Sequence, residues 1–177
     1  MKNLVLSEPN RAMLAVACPV MKNNDNISMM ARSASCFGVD TFIITGQNKI
    51  NSHISRNCRM DIKHRRSLLP VLKEYRSMRY EILGIEQSEG SIGLSECRFL
   101  DGPTLFIVGN ECGGISKEIM DVLDDIIEIP LAGEPYSLNV AVALSVCLYE
   151  RSKQLEELHK RDRSYSVPDK SMPIMVV

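Results

Sequence analysis

Several features that would settle the class of this 177-residue chain at once are missing from it. There is no C-x-x-C pair. The six cysteines, Cys18, Cys36, Cys58, Cys97, Cys112 and Cys147, are scattered, which argues against a disulfide framework or a zinc site. The pattern implies reduced thiols in a cytosol-like compartment and no metal. No secretory leader is recognisable before the first cysteine. The longest apolar run, Met13 to Val20, is eight residues, where a membrane-spanning helix needs roughly 20. A soluble, cytoplasmic protein without a membrane partner is therefore expected. No internal repeat is present, and a chain of this length suits one domain able to bury about 70% of its unfolded surface.

Net charge is scarce too, at −1, but the total hides two opposed blocks. From Lys49 to Arg79 nine Lys or Arg face only Asp61 and Glu74, a balance of +7. From Tyr80 to Glu150 thirteen Asp or Glu face only Arg98 and Lys117, a balance of −11. A basic block of this density suits phosphate binding, with Arg56, Arg59, Lys63, Arg65 and Arg66 at its centre. A solvated helical face would read the same way.

Apolar runs rich in β-branched residues recur at 13–20, 41–45, 80–86, 105–109 and 125–130, and read as buried strands. Helical spacing lies between them at 26–38, 66–78 and 115–124, and again from 137 to about 159, with Pro70 marking an early turn or start of the second helix. Strands alternating with helices predict an α/β domain over 1–160, its mostly parallel sheet covered by helices on both faces. Residues 161–177 are polar and charged before "PIMVV", and read as a loosely held tail.

In such a sheet ligands bind beyond the carboxyl ends of the strands. "GNECGGIS" (109–116) follows a strand there and opens a helix, a setting for anion binding, although it lacks the spacing of a phosphate loop. Simple turn geometry explains its glycines equally well. Glu111 suits a helix N-terminus for dipole reasons alone, and Ser137 can be an N-cap accepting from Asn139 or Val140. Asn139 is harder to explain. It lies in the first turn of a helix that is otherwise apolar from Leu138 to Tyr149 apart from Ser145, and a buried carboxamide costs a few kcal/mol, roughly, without hydrogen-bond partners. Arg32 likewise interrupts an apolar helix midway, among Ala31, Ser33, Ala34 and Ser35. An ion pair with a neighbouring acid is one explanation for it. The helix from Ser137 is apolar on nearly every side, so a second subunit should cover part of it.

Three segments in order, "NISMMARSASCFGVD" (26–40), "LFIVGNECGGIS" (105–116) and "IEIPLAGEPYSLNVAVALSVCLYE" (127–150), resemble the signature of the SpoU/TrmH family in the SPOUT superfamily of RNA ribose 2′-O-methyltransferases. The resemblance runs from Asn26 to Glu150. It implies a homodimer, a C-terminal trefoil knot and S-adenosylmethionine held by Gly109, Ile129 and Leu138, with "LGIEQSEG" (83–90) as the first loop of the same pocket. Ile85, Glu86 and Leu131 are carried with them as donor-binding positions. Arg32 is implied as the principal catalytic residue, with Asn26, Glu111, Ser137 and Asn139 shaping the site around it. Two departures are visible, Ser28 where many relatives have glycine and no proline before Asn26. The short form fits tRNA better than ribosomal RNA, and "LGIEQSEGS" is similar to the donor loop of tRNA guanosine-18 enzymes. The alternatives are ribosomal RNA or the tRNA wobble ribose as target, or a catalytically silent RNA-binding dimer.

Overall fold

The structure, a computed structural model, describes residues 13–134 and 137–161. The expected tail beyond Arg161 lies outside the described residues. Seven strands form one sheet in the order β3-β2-β1-β6-β4-β7-β5, with every pairing parallel. They are β1 (Leu14–Cys18), β2 (Thr41–Thr45), β3 (Asp61–Arg65), β4 (Glu81–Ile85), β5 (Ile92–Gly93), β6 (Thr104–Val108) and β7 (Asp125–Glu128). The helices are α1 (Asn24–Cys36), α2 (Ser52–Asn57), α3 (Leu68–Ser77), α4 (Lys117–Met120) and α5 (Val140–Arg161).

β1 and β6 are buried along their whole length. Apolar side chains leave both of their faces, as strands covered on two sides require. On one face Val16, Phe42, Phe106, Val108 and Ile127 meet Ile27, Met30, Ala31 and Ala34 of α1 and Ala141, Leu144, Cys147 and Leu148 of α5. On the other, Ala17, Ile43, Leu105 and Ile107 meet Leu68, Val71, Leu72 and Tyr75 of α3, with Ile115 and Ile119 beside them. All six cysteines are free thiols. Burial pushes those of Cys18 and Cys147 up to about 12. Among the described residues no helix is long and apolar enough to cross a membrane.

Some elements differ from the sequence reading. β3, "DIKHR", is an edge strand with Asp61, His64 and Arg65 exposed, so it carries no apolar alternation to betray it. The helix expected over 115–124 shrinks to one turn, Lys117–Met120. α5 begins at Val140 rather than Ser137, and the cap is Asn139: its Oδ1 accepts from Ala141 N–H at 2.9 Å, while its carbonyl accepts from Ala143 N–H. Asn serves at an N-cap as well as Ser, and here the Asn side chain lies closer to the first unpaired N–H groups.

Candidate active site

Because the sheet is parallel, the loops after β1, β4, β6 and β7 all open at its carboxyl edge. Three of them, with the start of α5, enclose a cavity of about 510 Å³. Ile85 and Glu86 line it from the β4 loop, Gly109 and Glu111 from the β6 loop, and Ile129 and Leu131 from the β7 loop. Ser137, Leu138 and Asn139 close it from the α5 side. All six expected donor-binding positions thus share one cavity, and three of the expected catalytic residues join them.

Glu86 ties two of these loops together. Its Oε1 accepts from Gln87 N–H at 3.0 Å and its Oε2 from Ile115 N–H at 2.9 Å. The carboxylate fits only because its neighbours have no side chain. A Cβ on Gly109 would lie 2.5 Å from Glu86 Oε2, and one on Gly114, where φ is +61°, would lie 2.2 Å from it.

Asn26 sits at the centre of the polar chemistry, 8% exposed in the first turn of α1. Its Nδ2 donates to Glu111 Oε1 at 2.8 Å, and its Oδ1 accepts from Asn139 Nδ2 at 2.9 Å. Glu111 accepts further bonds from the backbone N–H groups of Lys22 at 2.9 Å and Asn23 at 3.2 Å. Burial works against the charge on Glu111, but the bonds from Lys22, Asn26 and Asn23 outweigh it and hold the carboxyl below its usual range. This chain of bonds links α1, the β6 loop and the cap of α5. Asn139 is exposed and not the buried carboxamide that the sequence suggested, yet it has a partner in Asn26, and the role of Glu111 exceeds that of a dipole-friendly loop residue.

Arg32 is not brought into this cavity. Six residues along α1 from Asn26, it lies roughly 9 Å up the axis and about 240° around it, on the exposed face that also carries Met29. No ion pair accounts for it among the described residues. Beside that face runs a groove of about 360 Å³ between α1 and α5, lined by Met29, Phe37, Val142, Val146 and Tyr149 among others. Of the basic residues, Arg56, Arg59, Arg65 and Arg66 are exposed and Lys63 is half-buried 3.5 Å from Asp61. Arg59 precedes β3, so it belongs to the amino edge of the sheet, whereas Arg65 and Arg66 stand at the carboxyl edge with the cavity. The sequence reading missed Lys22, whose backbone holds Glu111, and Asn48, whose side chain bonds Met21 and Asn24.

The cavity suits a nucleoside-sized ligand. Its volume is that of ordinary cofactor sites, Ile85, Ile127, Ile129, Leu131 and Val140 give it apolar walls, and the bare backbone at Gly109 and Gly114 allows close approach. Parallel α/β architecture, a pocket at the carboxyl edge of the sheet and a hydrogen-bonded polar cluster beside it suit an enzyme that draws on a bound cofactor. The SpoU rRNA methylase family model matches residues 13–149, and the chain belongs to that family. Its enzymes take the methyl group from S-adenosylmethionine. A tRNA (guanosine(18)-2′-O)-methyltransferase of Aquifex aeolicus is 33% identical over 150 residues, covering 81% of this chain and 71% of that protein. The crystal structure of the A. aeolicus TrmH/SpoU tRNA modifying enzyme superposes with a TM-score of 0.75 at 29% identity, over 88% of this chain and 82% of that one. AviRb of Streptomyces viridochromogenes, a SpoU methyltransferase solved with AdoMet, shares the fold at a TM-score of 0.72 and 24% identity, over 82% of this chain and 59% of that one. The chain spans about half the length of further relatives, uncharacterized tRNA/rRNA methyltransferases of mycobacteria.

Proposed function

We propose that the protein methylates the 2′-hydroxyl of a ribose in tRNA, with S-adenosylmethionine as donor and guanosine-18 as the first target to test. The observation that carries this reading is the joining of the donor-sized cavity to the Asn26–Glu111–Asn139 cluster at its mouth. The named activity of the A. aeolicus relative supports the choice of tRNA and of guanosine-18.

Bound in the cavity, the donor supplies a methyl group already activated on a sulfonium. The chain has to place the ribose in line with it and exclude alternatives, and positioning alone contributes several kcal/mol, roughly, to such a reaction. Glu86, Gly109, Ile129, Leu131 and Leu138 frame the donor, with Ile85 as apolar wall. Asn26, Glu111 and Asn139 are already hydrogen-bonded to one another and form a rigid rim, with the Ser137 hydroxyl exposed beside them. Glu111 is a poor base, since three donors stabilise its charge. An arginine presents a planar fork of N–H donors, so the role of Arg32 is to grip the phosphate next to the target ribose and to stabilise developing alkoxide charge. That phosphate or a water takes the proton.

The working unit in this reading is a cytoplasmic homodimer. The apolar groove beside α1 and α5, with Val142 41% and Tyr149 59% exposed, supports a second copy there. Such a contact would set Arg32 at the subunit boundary. A trefoil knot is part of the same proposal. It is supported by the sheet order, in which β6 lies between β1 and β4 and β7 between β4 and β5, and by the convergence of the three loops that would form it.

The test is transfer of labelled methyl from S-adenosylmethionine to unmodified tRNA and, separately, to ribosomal RNA, followed by identification of the nucleoside. A 2′-O-methylnucleoside in tRNA, lost with Arg32→Ala while donor affinity is kept, is expected. A folded protein that binds donor and modifies neither RNA would overturn the assignment.

A further inference from the structure

The two charge blocks of the sequence meet at the carboxyl edge of the sheet and divide it. Glu86 on the β4 loop, Glu111 on the β6 loop and Glu128 at the end of β7 all line the cavity. The loops after β1, β2 and β3 carry Lys22, Lys49 and Arg66 and contain no Asp or Glu. We propose that Lys22 and Lys49, on the loops after β1 and β2, are phosphate contacts that lead RNA from the methylation site towards Arg65 and Arg66 at the end of β3. The proposal rests on the methyltransferase reading for its direction, since Lys22 adjoins the site through Glu111.

Three observations carry it. Lys22 and Lys49 are exposed cations with no partner among the described residues, whereas Lys63, Arg76, Lys153 and Lys160 each have a carboxylate within salt-bridge distance. Both stand on loops that are held in place: Lys22 N–H donates to Glu111, and Lys49 N–H donates to Asn24 Oδ1 at 3.1 Å. Asn48 locks the two loops to each other by bonding Met21 N–H, Met21 C=O and Asn24 Oδ1. Finally, the strands below are consecutive neighbours, with Cys18 beside Ile44 and Thr45 beside Arg65. At ~4.8 Å per strand the path from β1 to β3 is about 10 Å, the rise of about three stacked nucleotides at ~3.4 Å each. Ordered cations at this spacing track a backbone without reading its sequence.

The experiment measures binding of an unmodified tRNA transcript as salt is raised, for wild type, Lys22→Ala, Lys49→Ala, the double variant and, as control, Lys153→Ala on α5, whose charge is paired with Glu150. Each lost phosphate contact should reduce the slope of log affinity against log salt by about 0.7. Between 50 and 200 mM salt each single variant should therefore lose roughly 2.6-fold less affinity than wild type, and the double variant roughly 7-fold less. Donor affinity should not change, and the RNA KM should rise ahead of any fall in kcat. Slopes for both variants equal to those of wild type and Lys153→Ala would overturn the track. Binding alone decides this point, so absence of methyl transfer in the wild type would count against the methyltransferase reading and leave the track to be judged by its slopes.

Discussion

Replacing Gly109 by alanine should damage donor binding far more than its size suggests. The added Cβ would sit 2.7 and 2.8 Å from the Cα and carbonyl carbon of Gly114, and 2.5 Å from Glu86 Oε2. Ordinary carbon contacts begin near ~3.5 Å, so the two sides of the β6 loop must part by about 0.7 Å. Overpacking of this kind costs about 1–3 kcal/mol. If the loop yields by widening, the cavity wall proposed to frame the donor is displaced and binding should weaken roughly 5- to 150-fold. Gly114→Ala meets a different obstacle, because its three nearest atoms all belong to the Glu86 carboxyl and its φ of +61° is left-handed. Adding Glu86→Ala should therefore relieve part of the Gly114→Ala defect and little of the Gly109→Ala defect. Calorimetric titration with S-adenosylmethionine, run as two double-mutant cycles with thermal unfolding alongside, separates these terms. Wild-type affinity in Gly109→Ala, or full rescue of it by Glu86→Ala, would refute the reasoning.

The polar cluster makes a pH prediction. Hydrogen bonds hold the Glu111 carboxyl below its ordinary value of 4.5, so the stabilisation it gives is complete above that value and is lost as pH falls through the lower, folded one. Transfer should stay insensitive to this group down to the ordinary carboxylate range, and Glu111→Gln should be slower throughout and lack the acid limb; an acid limb above pH 4.5 that persists in the variant would contradict this. For the groove, where Val142 is 41% exposed in the single chain, Val142→Glu should yield a folded monomer by sedimentation, with a Tm below that of wild type because the dimer no longer adds to its stability. A wild type that sediments as a monomer at micromolar concentration would remove the basis for that expectation.

Although only Ile127 of β7 is buried, the apolar strands were legible because β1, β2, β4, β6 and β7 carry apolar blocks bounded by turns. β3 was not, since an edge strand that faces water has no need of such a block, and "DIKHR" carries none. Asn139 announced itself as a polar residue that needed a partner, but the partner is 113 residues away and no local pattern could name it. The same holds for Glu111, 85 residues from Asn26. The expected donor positions came from family resemblance rather than periodicity, and the structure shows only that they line one cavity. The opposed charges were plain in the sequence; that both blocks contribute loops to one edge of the sheet depended on its parallel topology. Arg32 was conspicuous as an interruption of α1, and only the helix geometry showed that it faces away from its own chain's cavity.

These long separations also bear on the order of events as the chain is made. Closing a loop becomes costlier with its length, and contacts between distant residues form late. Synthesis proceeds from the N-terminus, so Lys22, Lys49, Arg65 and Arg66 emerge well before Glu111 can order Asn26, and before Asn139 can complete the cluster and begin α5. The nascent protein would therefore display the cations proposed to hold RNA while the cavity at the carboxyl edge still lacks a wall.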